Sequence, residues 1–297
     1  MIKDSKKCIE EQIKLIEDIS EIIKTQIADI DSIGKGIVLP DEIEDLKRAG
    51  ILVAKRRYLD FFNNIVSFLV EKLREEKEEN FRFFLPNIRT LLDIYGQLLY
   101  LCNEDENKQA SIYAANSLFT LVNTVEKPDE KSNEEEKQAY EKIKEVYNEG
   151  YRDWKLFFDR ENIDIPEDME LFSRRKLNEL GLNFPPLPQM LKKEIIKDSS
   201  PETIKTFPKT TKKVYNTYRF TSNYVHGNVL AKNIHGNEKL WIITKVQILS
   251  NLIVDLVNTK VLGGSRKKEL VKWMQELSQR RPGFVNFWRE RNRLKSN

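Results

Sequence analysis

Apolar residues recur every three or four positions along most of this chain, which is the spacing that places them on one face of an α-helix. The first segment shows the pattern best, with isoleucine at six positions: Ile9, Ile13, Ile16, Ile19, Ile23 and Ile27. The same spacing predicts helices over about 41–79, 87–102, 108–125, 140–158, 209–225 and 238–261. No run of alternating apolar and polar residues is long enough to indicate a sheet. We therefore predict an all-α fold.

Breaks in this pattern predict the domain organisation. Glycines and Pro40 end the first helix, and the charged stretch at 126–137 reads as a loop. Pro86 is expected at the start of the third helix, where proline is tolerated. The predicted parts are an N-terminal helix at 1–40, a larger helical domain at 41–262 with an irregular insertion at about 126–208, and a basic C-terminal helical tail at 263–297.

Charge is dense but nearly balanced, with 50 Lys and Arg residues against 47 Asp and Glu residues in 297 positions. The 11 glycines, 10 prolines and two cysteines exclude a collagen-like chain, a proline-rich disordered chain and a disulfide scaffold. The balance is uneven, because residues 261–297 hold ten Lys and Arg against three Glu, a net charge of +7. This tail indicates either an anionic partner or a solvated helical terminus.

The most apolar stretch lies at 240–262, and five polar or charged residues interrupt it: Lys245, Gln247, Asn251, Asp255 and Asn258. A spanning helix needs roughly 20 predominantly apolar residues, so we expect no membrane segment. The N-terminal residues lack the apolar core of a signal peptide. Cys8 and Cys102 lack metal-site spacing, and we expect them to be reduced in a cytoplasmic protein.

Few residues suit acid–base chemistry near neutral pH, because the chain has only two histidines. The sequence contains no glycine-rich phosphate loop, no His-Glu-x-x-His or Glu-x-x-His pattern and no Gly-x-Ser-x-Gly elbow. We therefore expect neither a metal nor a nucleotide cofactor, and the histidines and their neighbours are the candidate site residues.

The most informative segment is residues 218–228. Arg219 and His226 are seven residues apart, so they lie within about 20° of one helical face. Ser222 and Asn223 fall between them on that face, which predicts a polar stripe of four side chains. The other face carries three residues that can pack against the protein: Tyr218, Thr221 and Val225.

This stripe resembles the Arg-x(4–6)-His motif of the HEPN superfamily, whose helical domains bind nucleotides or cleave RNA in many toxin and defence systems. Here six residues separate Arg219 from His226. An earlier helix carries a similar Arg-x-x-x-acid pattern at Arg89 and Asp93, which at i,i+4 share a face and can pair. The resemblance covers two stretches, about 41–125 and 209–262.

The resemblance implies that the domain at 41–262 is a HEPN-like bundle, and that the protein is a metal-independent endoribonuclease without a cofactor. His226 would act as general acid or base, and Arg219 would hold the scissile phosphate. Four residues would support them: Ser222, Asn223, Arg89 and Asp93. The resemblance also implies RNA or a nucleotide as ligand, a homodimer with a composite site, and a toxin or antiviral effector with an antitoxin or defence-system partner.

The same residues also fit simpler structural roles. His226 precedes a glycine and can simply end a helix, where the helix dipole stabilises it. Arg219 can pair with Asp93 or another carboxylate, or Arg89 and Asp93 can form an ion pair that joins two helices. Three arginines of the tail can bind an RNA backbone or only solvate the terminus: Arg289, Arg291 and Arg293. Because Phe220 follows Arg219 where active HEPN ribonucleases often have a polar residue, the alternative function is a non-catalytic nucleotide-, RNA- or protein-binding module.

Overall fold

The computed structural model describes residues 2–35, 43–75, 81–190, 214, 216–222 and 238–263. Every regular element in these ranges is a helix, which confirms the predicted all-α class. The helices are α1 Ile2–Lys35, α2 Ile43–Glu75, α3 Phe81–Asn103, α4 Glu106–Val122, α5 Glu134–Glu161, α6 Arg174–Glu179 and α7 Glu238–Lys260. A 3₁₀ turn at Met169–Leu171 precedes α6. The HEPN-like arrangement of the bundle stays a prediction.

The chain forms two compact units. Unit 1 comprises residues 1–31, 56–103 and 186–297, and unit 2 comprises residues 32–55 and 104–185. The predicted division at residues 40 and 262 stays a prediction.

The core of unit 1 is built from the apolar stripes of α1, α2, α3 and α7. The predicted isoleucine stripe of α1 is buried from Ile13 to Ile27. Phe62 of α2 and Leu91 of α3 are fully buried, and α3 packs along α7. Removing such side chains from water is the main stabilising contribution to a bundle, about 1.5–3 kcal/mol for each fully buried large residue.

Among the described residues, two fully buried hydrogen bonds cross this apolar core between helices. The Ser20 hydroxyl of α1 donates to Asn63 Oδ1 of α2 at 2.7 Å, and both residues are buried. Further along α1, Gln26 Nε2 donates to the carbonyl oxygen of Val254 in α7 at 2.9 Å. Buried polar groups need such partners, because an unpaired one costs about 1–3 kcal/mol.

Over Lys239–Lys260, helix α7 is long and apolar enough to cross a membrane. No other helix in the described ranges meets both criteria. However, 61% of its most apolar window is buried inside the protein, as in the core helix of a bundle. Of the polar residues predicted to interrupt it, Asn251 and Asn258 are buried, and Gln247 Nε2 donates to Gln12 Oε1 at 2.6 Å. These contacts favour the core-helix interpretation.

Helix α3 begins earlier than predicted, at Phe81 instead of about Asn87, so that Pro86 lies inside the helix. A proline in a helix interior forgoes one backbone hydrogen bond. The side chains of Phe84 and Leu85, which precede it, are 2% and 0% exposed. Burial of these two residues in the unit 1 core outweighs the lost bond and explains the earlier start.

In unit 2, α4 packs against α5, and side-chain caps set where both helices begin. Asp105 accepts a hydrogen bond from the backbone N–H of Lys108 at 2.9 Å. Asn133 and Glu136 form a reciprocal capping box at the start of α5. These caps satisfy backbone donors that a helix leaves unpaired in its first turn.

An aromatic cluster fills the core of unit 2. The Trp154 ring meets Tyr113 edge-on with centroids 6.2 Å apart, and meets Phe157 edge-on at 5.5 Å. Gly50 of α2 lies directly against this indole, because a Cβ atom placed on Gly50 would be 2.5 Å from Trp154 Cη2. Glycine at this position is therefore a packing requirement.

Near the 3₁₀ turn of unit 2, the Glu170 carboxylate accepts hydrogen bonds from Lys127 Nζ at 2.5 Å and from the Tyr140 hydroxyl at 3.0 Å. The ammonium of Lys127 holds the pKa of Glu170 below its ordinary value. Burial, together with the bond to Glu170, raises the pKa of Tyr140 to about 12. The trio remains Lys⁺, Glu⁻ and neutral Tyr across the physiological range.

Candidate functional site

The candidate site lies on a short helical stretch of unit 1, residues 216–222, which we call the Arg219 segment. Its inward face carries Thr217 and Thr221, which are 4% and 0% exposed. The Thr221 hydroxyl donates to the carbonyl oxygen of Thr217 at 3.0 Å, so its polar group is satisfied within the segment. The prediction that Thr221 packs inward is confirmed, and the arginine is thereby turned outward.

Arg219 is exposed to solvent. It forms no ion pair or hydrogen bond with any residue in the described part of the chain. The hypothesis that it pairs with Asp93 is wrong, because Asp93 is bound to Arg89. Ser222 is partly exposed on the same segment. A solvent-facing guanidinium without a carboxylate partner is able to bind an anion, with a phosphate as the best geometric match.

The Arg89–Asp93 pair predicted from i,i+4 spacing is confirmed, with Arg89 Nε donating to Asp93 Oδ2 at 2.8 Å. The structure adds a partner that the sequence did not indicate. The guanidinium of Arg89 lies over the Tyr218 ring, 3.8 Å from its centroid. Tyr218 is the neighbour of Arg219, so this cation–π contact attaches the Arg219 segment to α3.

Burial by itself lowers the pKa of Arg89, but the hydrogen bond to Asp93 and the interaction with Tyr218 outweigh burial and raise it above its ordinary value. Arg89 therefore stays charged. Its side chain is 22% exposed, and both its charge and its planar face are used by protein partners. In this arrangement Arg89 and Asp93 position the segment, and Arg219 is the group that faces solvent.

On the other side, the Arg219 segment meets α7. Phe220 packs against Trp241 with ring centroids 5.3 Å apart and an angle of 59° between the planes. Lys245, one helical turn after Trp241, places its Nζ 5.2 Å from the centre of the indole. All three side chains are partly exposed. From the sequence, α7 was considered only as the most apolar stretch of the chain, and this group was not predicted. The available signal was the i,i+4 spacing of Trp241 and Lys245.

The space enclosed between α3, the Arg219 segment and α7 is small. A cavity of about 10 Å³ there is lined by Leu92, Val214, Thr217 and three residues of α7. A single water molecule needs about 10–15 Å³. Among the described residues, this cavity is too small for a ligand larger than a single water molecule, whereas Arg219 itself is open to solvent.

Five of the predicted site residues lie outside the described residues: Asn223, His226, Arg289, Arg291 and Arg293. The predicted stripe is thus present through Arg219 and Ser222, and its continuation to His226 stays a prediction. No protein-family model, no curated protein and no solved structure matches this chain. The chemistry of the Arg219 segment is therefore the basis for assigning a function.

Proposed function

We propose that this protein is a metal-independent endoribonuclease of the HEPN type, acting as a toxin or antiviral defence effector. One observation carries the proposal: Arg219 is exposed and unpaired among the described residues, on a segment that Arg89 and Tyr218 attach to α3. The segment is fixed through Tyr218, and the Arg219 guanidinium has no internal carboxylate to leave when it binds a phosphate.

The proposed reaction is attack of a ribose 2′-hydroxyl on the adjacent phosphorus. Arg219 binds the non-bridging oxygens of that phosphate and stabilises their growing charge. His226, seven residues later in the sequence, takes the proton of the 2′-hydroxyl or gives one to the departing 5′-oxygen, since the reference pKa of histidine is about 6.5. Ser222 or Asn223 orients the imidazole or the phosphate. The products are a 2′,3′-cyclic phosphate and a 5′-hydroxyl, with no metal required.

The HEPN resemblance adds a quaternary proposal. Two copies of the Arg219 segment face each other in a homodimer, so that arginines and histidines of both copies surround one RNA strand. In such a composite site each protomer contributes one Arg219, so two guanidinium groups bind the scissile phosphate. An antitoxin or another defence-system component would then control the activity by covering this surface.

The test is cleavage of total RNA by the purified full-length chain in excess EDTA. We expect cleavage that leaves 2′,3′-cyclic phosphate ends, and loss of that cleavage in His226→Ala and Arg219→Ala. His235→Ala is the matched control, because His235-Gly236-Asn237 repeats the letters of His226-Gly227-Asn228 nine residues later. Equal cleavage by the wild type and His226→Ala would identify a contaminant and refute the proposed mechanism.

The second candidate function is a non-catalytic RNA-binding module. The packing of Phe220 against Trp241 favours it, because the residue after the arginine is used for aromatic contact and not for polar chemistry. This module would bind RNA with the same affinity in the wild type and His226→Ala, and neither protein would produce cyclic phosphate ends.

A further inference from the structure

An aromatic and basic surface lies next to Arg219. It consists of Phe220, Trp241 and Lys245, which we call the Trp241 surface. Phe220 and Trp241 are in contact at a centroid distance of 5.3 Å, and the Lys245 ammonium lies 5.2 Å from the centre of the indole. Phe220 directly follows Arg219, so this surface and the exposed guanidinium are adjacent.

Part of the surface of these side chains stays accessible to solvent. The apolar requirement of α7 in this region is met by Ile242, Ile243 and Val246, which are 0–1% exposed. Trp241 and Lys245, by contrast, are partly exposed, and the neighbouring Leu240 is 39% exposed. Two aromatic rings and a lysine thus remain partly accessible on the surface of unit 1.

The charge of the surroundings selects the kind of ligand. The Arg219 segment and the first two turns of α7 together contain three basic residues, Arg219, Lys239 and Lys245, against one acidic residue, Glu238. Aromatic rings that alternate with cations are the pattern by which proteins hold single-stranded nucleic acid, with bases stacked on the rings and phosphates on the cations.

We propose that the Trp241 surface is a nucleobase-stacking subsite for single-stranded RNA. The base next to the phosphate at Arg219 stacks on Trp241, supported from the side by Phe220. Lys245 adds positive charge beside the stacked base, which attracts the flanking phosphates. This proposal rests on the proposed function for the identity of RNA as ligand. It predicts weak base specificity, because every base offers a flat face, and rejection of duplexes, whose bases are already stacked.

The test measures binding without cleavage. A fluorescein-labelled 2′-O-methyl oligonucleotide lacks the attacking hydroxyl, so it cannot be cleaved by the proposed reaction. Its Kd is measured by anisotropy for the wild type, Trp241→Ala, Phe220→Leu and the matched control Trp241→Phe. An abasic strand of the same length and a 2′-O-methyl duplex are the comparison ligands, and circular dichroism verifies the fold of each variant.

We expect Trp241→Ala to bind the base-containing strand at least about fivefold more weakly, since one base–aromatic stack is worth that much or more. Phe220→Leu should show a smaller loss, and Trp241→Phe should stay within about twofold because a ring remains. The abasic strand should bind all four proteins equally. Three results would overturn the subsite: wild-type affinity in Trp241→Ala, an equal loss on the abasic strand, or equal or tighter binding of the duplex.

The two proposals fail separately. If the wild type binds single-stranded RNA through Trp241 but leaves natural RNA intact, the endoribonuclease proposal is refuted and the subsite proposal stands. If the wild type cleaves RNA and leaves cyclic phosphate ends, but Trp241→Ala binds as tightly as the wild type, the subsite proposal is refuted and the endoribonuclease proposal stands. A wild-type protein with no affinity for the single strand also overturns the subsite.

Discussion

Replacing Tyr218 by leucine should loosen the Arg219 segment from α3, because the tyrosine ring carries the contact with Arg89. The guanidinium is 3.8 Å from the ring centroid and the Arg89 side chain is 22% exposed. Cation–π contacts contribute about 0.5–1 kcal/mol at exposed sites and about 2 kcal/mol when desolvated, so about 1–2 kcal/mol is expected here. The i,i+4 pair with the 40%-exposed Asp93 contributes less, about 0.3–0.5 kcal/mol.

The assay is hydrogen–deuterium exchange of the amides at residues 216–222, which reports the free energy of local opening even in a chain with two units. Arg89→Met and Tyr218→Leu should each accelerate exchange by about 5- to 30-fold, the factor that corresponds to 1–2 kcal/mol. The double variant should be little faster than either single variant, because both remove the same contact. Asp93→Asn should accelerate exchange by only about twofold.

Tyr218→Phe is the matched control, since it keeps the ring and removes only the hydroxyl. It should retain most of the coupling with Arg89. If the effects of Arg89→Met and Tyr218→Leu simply multiply, the coupling is zero and the claim that this contact holds the segment is refuted. A larger effect of Asp93→Asn than of Tyr218→Leu would equally contradict the ranking of the two interactions.

Two further predictions concern unit 2. Gly50→Ala should lower the free energy of unfolding by about 1–2 kcal/mol, because the clash of a methyl group 2.5 Å from the packed Trp154 ring outweighs the gain in helix propensity. Gly34→Ala is the control and should be neutral or slightly stabilising, because a Cβ atom there meets nothing within 4 Å. Equal effects of the two substitutions would contradict the packing argument. Glu170→Gln should remove part of the acid sensitivity of unit 2. The bond from Lys127 lowers the pKa of Glu170 in the folded state, so its stabilisation is present above the unfolded pKa of about 4.3 and is lost as the pH falls through the folded pKa. Melting temperatures measured from pH 6 to pH 3 should therefore converge for the wild type and Glu170→Gln, and parallel curves would exclude this contribution.

The helical class was predictable because it depends on a local signal. The isoleucines of α1 repeat at helical spacing, and burial of the stripe from Ile13 onward follows from that spacing. The start of α3 was predicted wrongly because only a local rule was applied. The preference of proline for helix starts placed the start near Pro86, whereas the burial of Phe84 and Leu85 determines where this helix begins.

The candidate site was predictable only within single helices. The pairing of Arg89 with Asp93 follows from i,i+4 spacing, and the outward direction of Arg219 follows from the inward face at Thr221. The contact between Arg89 and Tyr218 joins positions 129 residues apart, and no local pattern in one sequence specifies such a pair. The meeting of Phe220 and Trp241 was missed for the same reason.

The two hydrogen bonds that cross the unit 1 core determine how its helices can move. A slide of α1 by one turn is about 5.4 Å, and it would unpair Ser20 from Asn63 and Gln26 from Val254 together. The two bonds point to different neighbouring helices, so a rotation that keeps one breaks the other. Gliding of α1 past α2 or α7 is therefore a costly route for any switch in unit 1. Among the described residues of unit 1, surface side chains and the short Arg219 segment can rearrange on ligand binding without breaking either of these bonds.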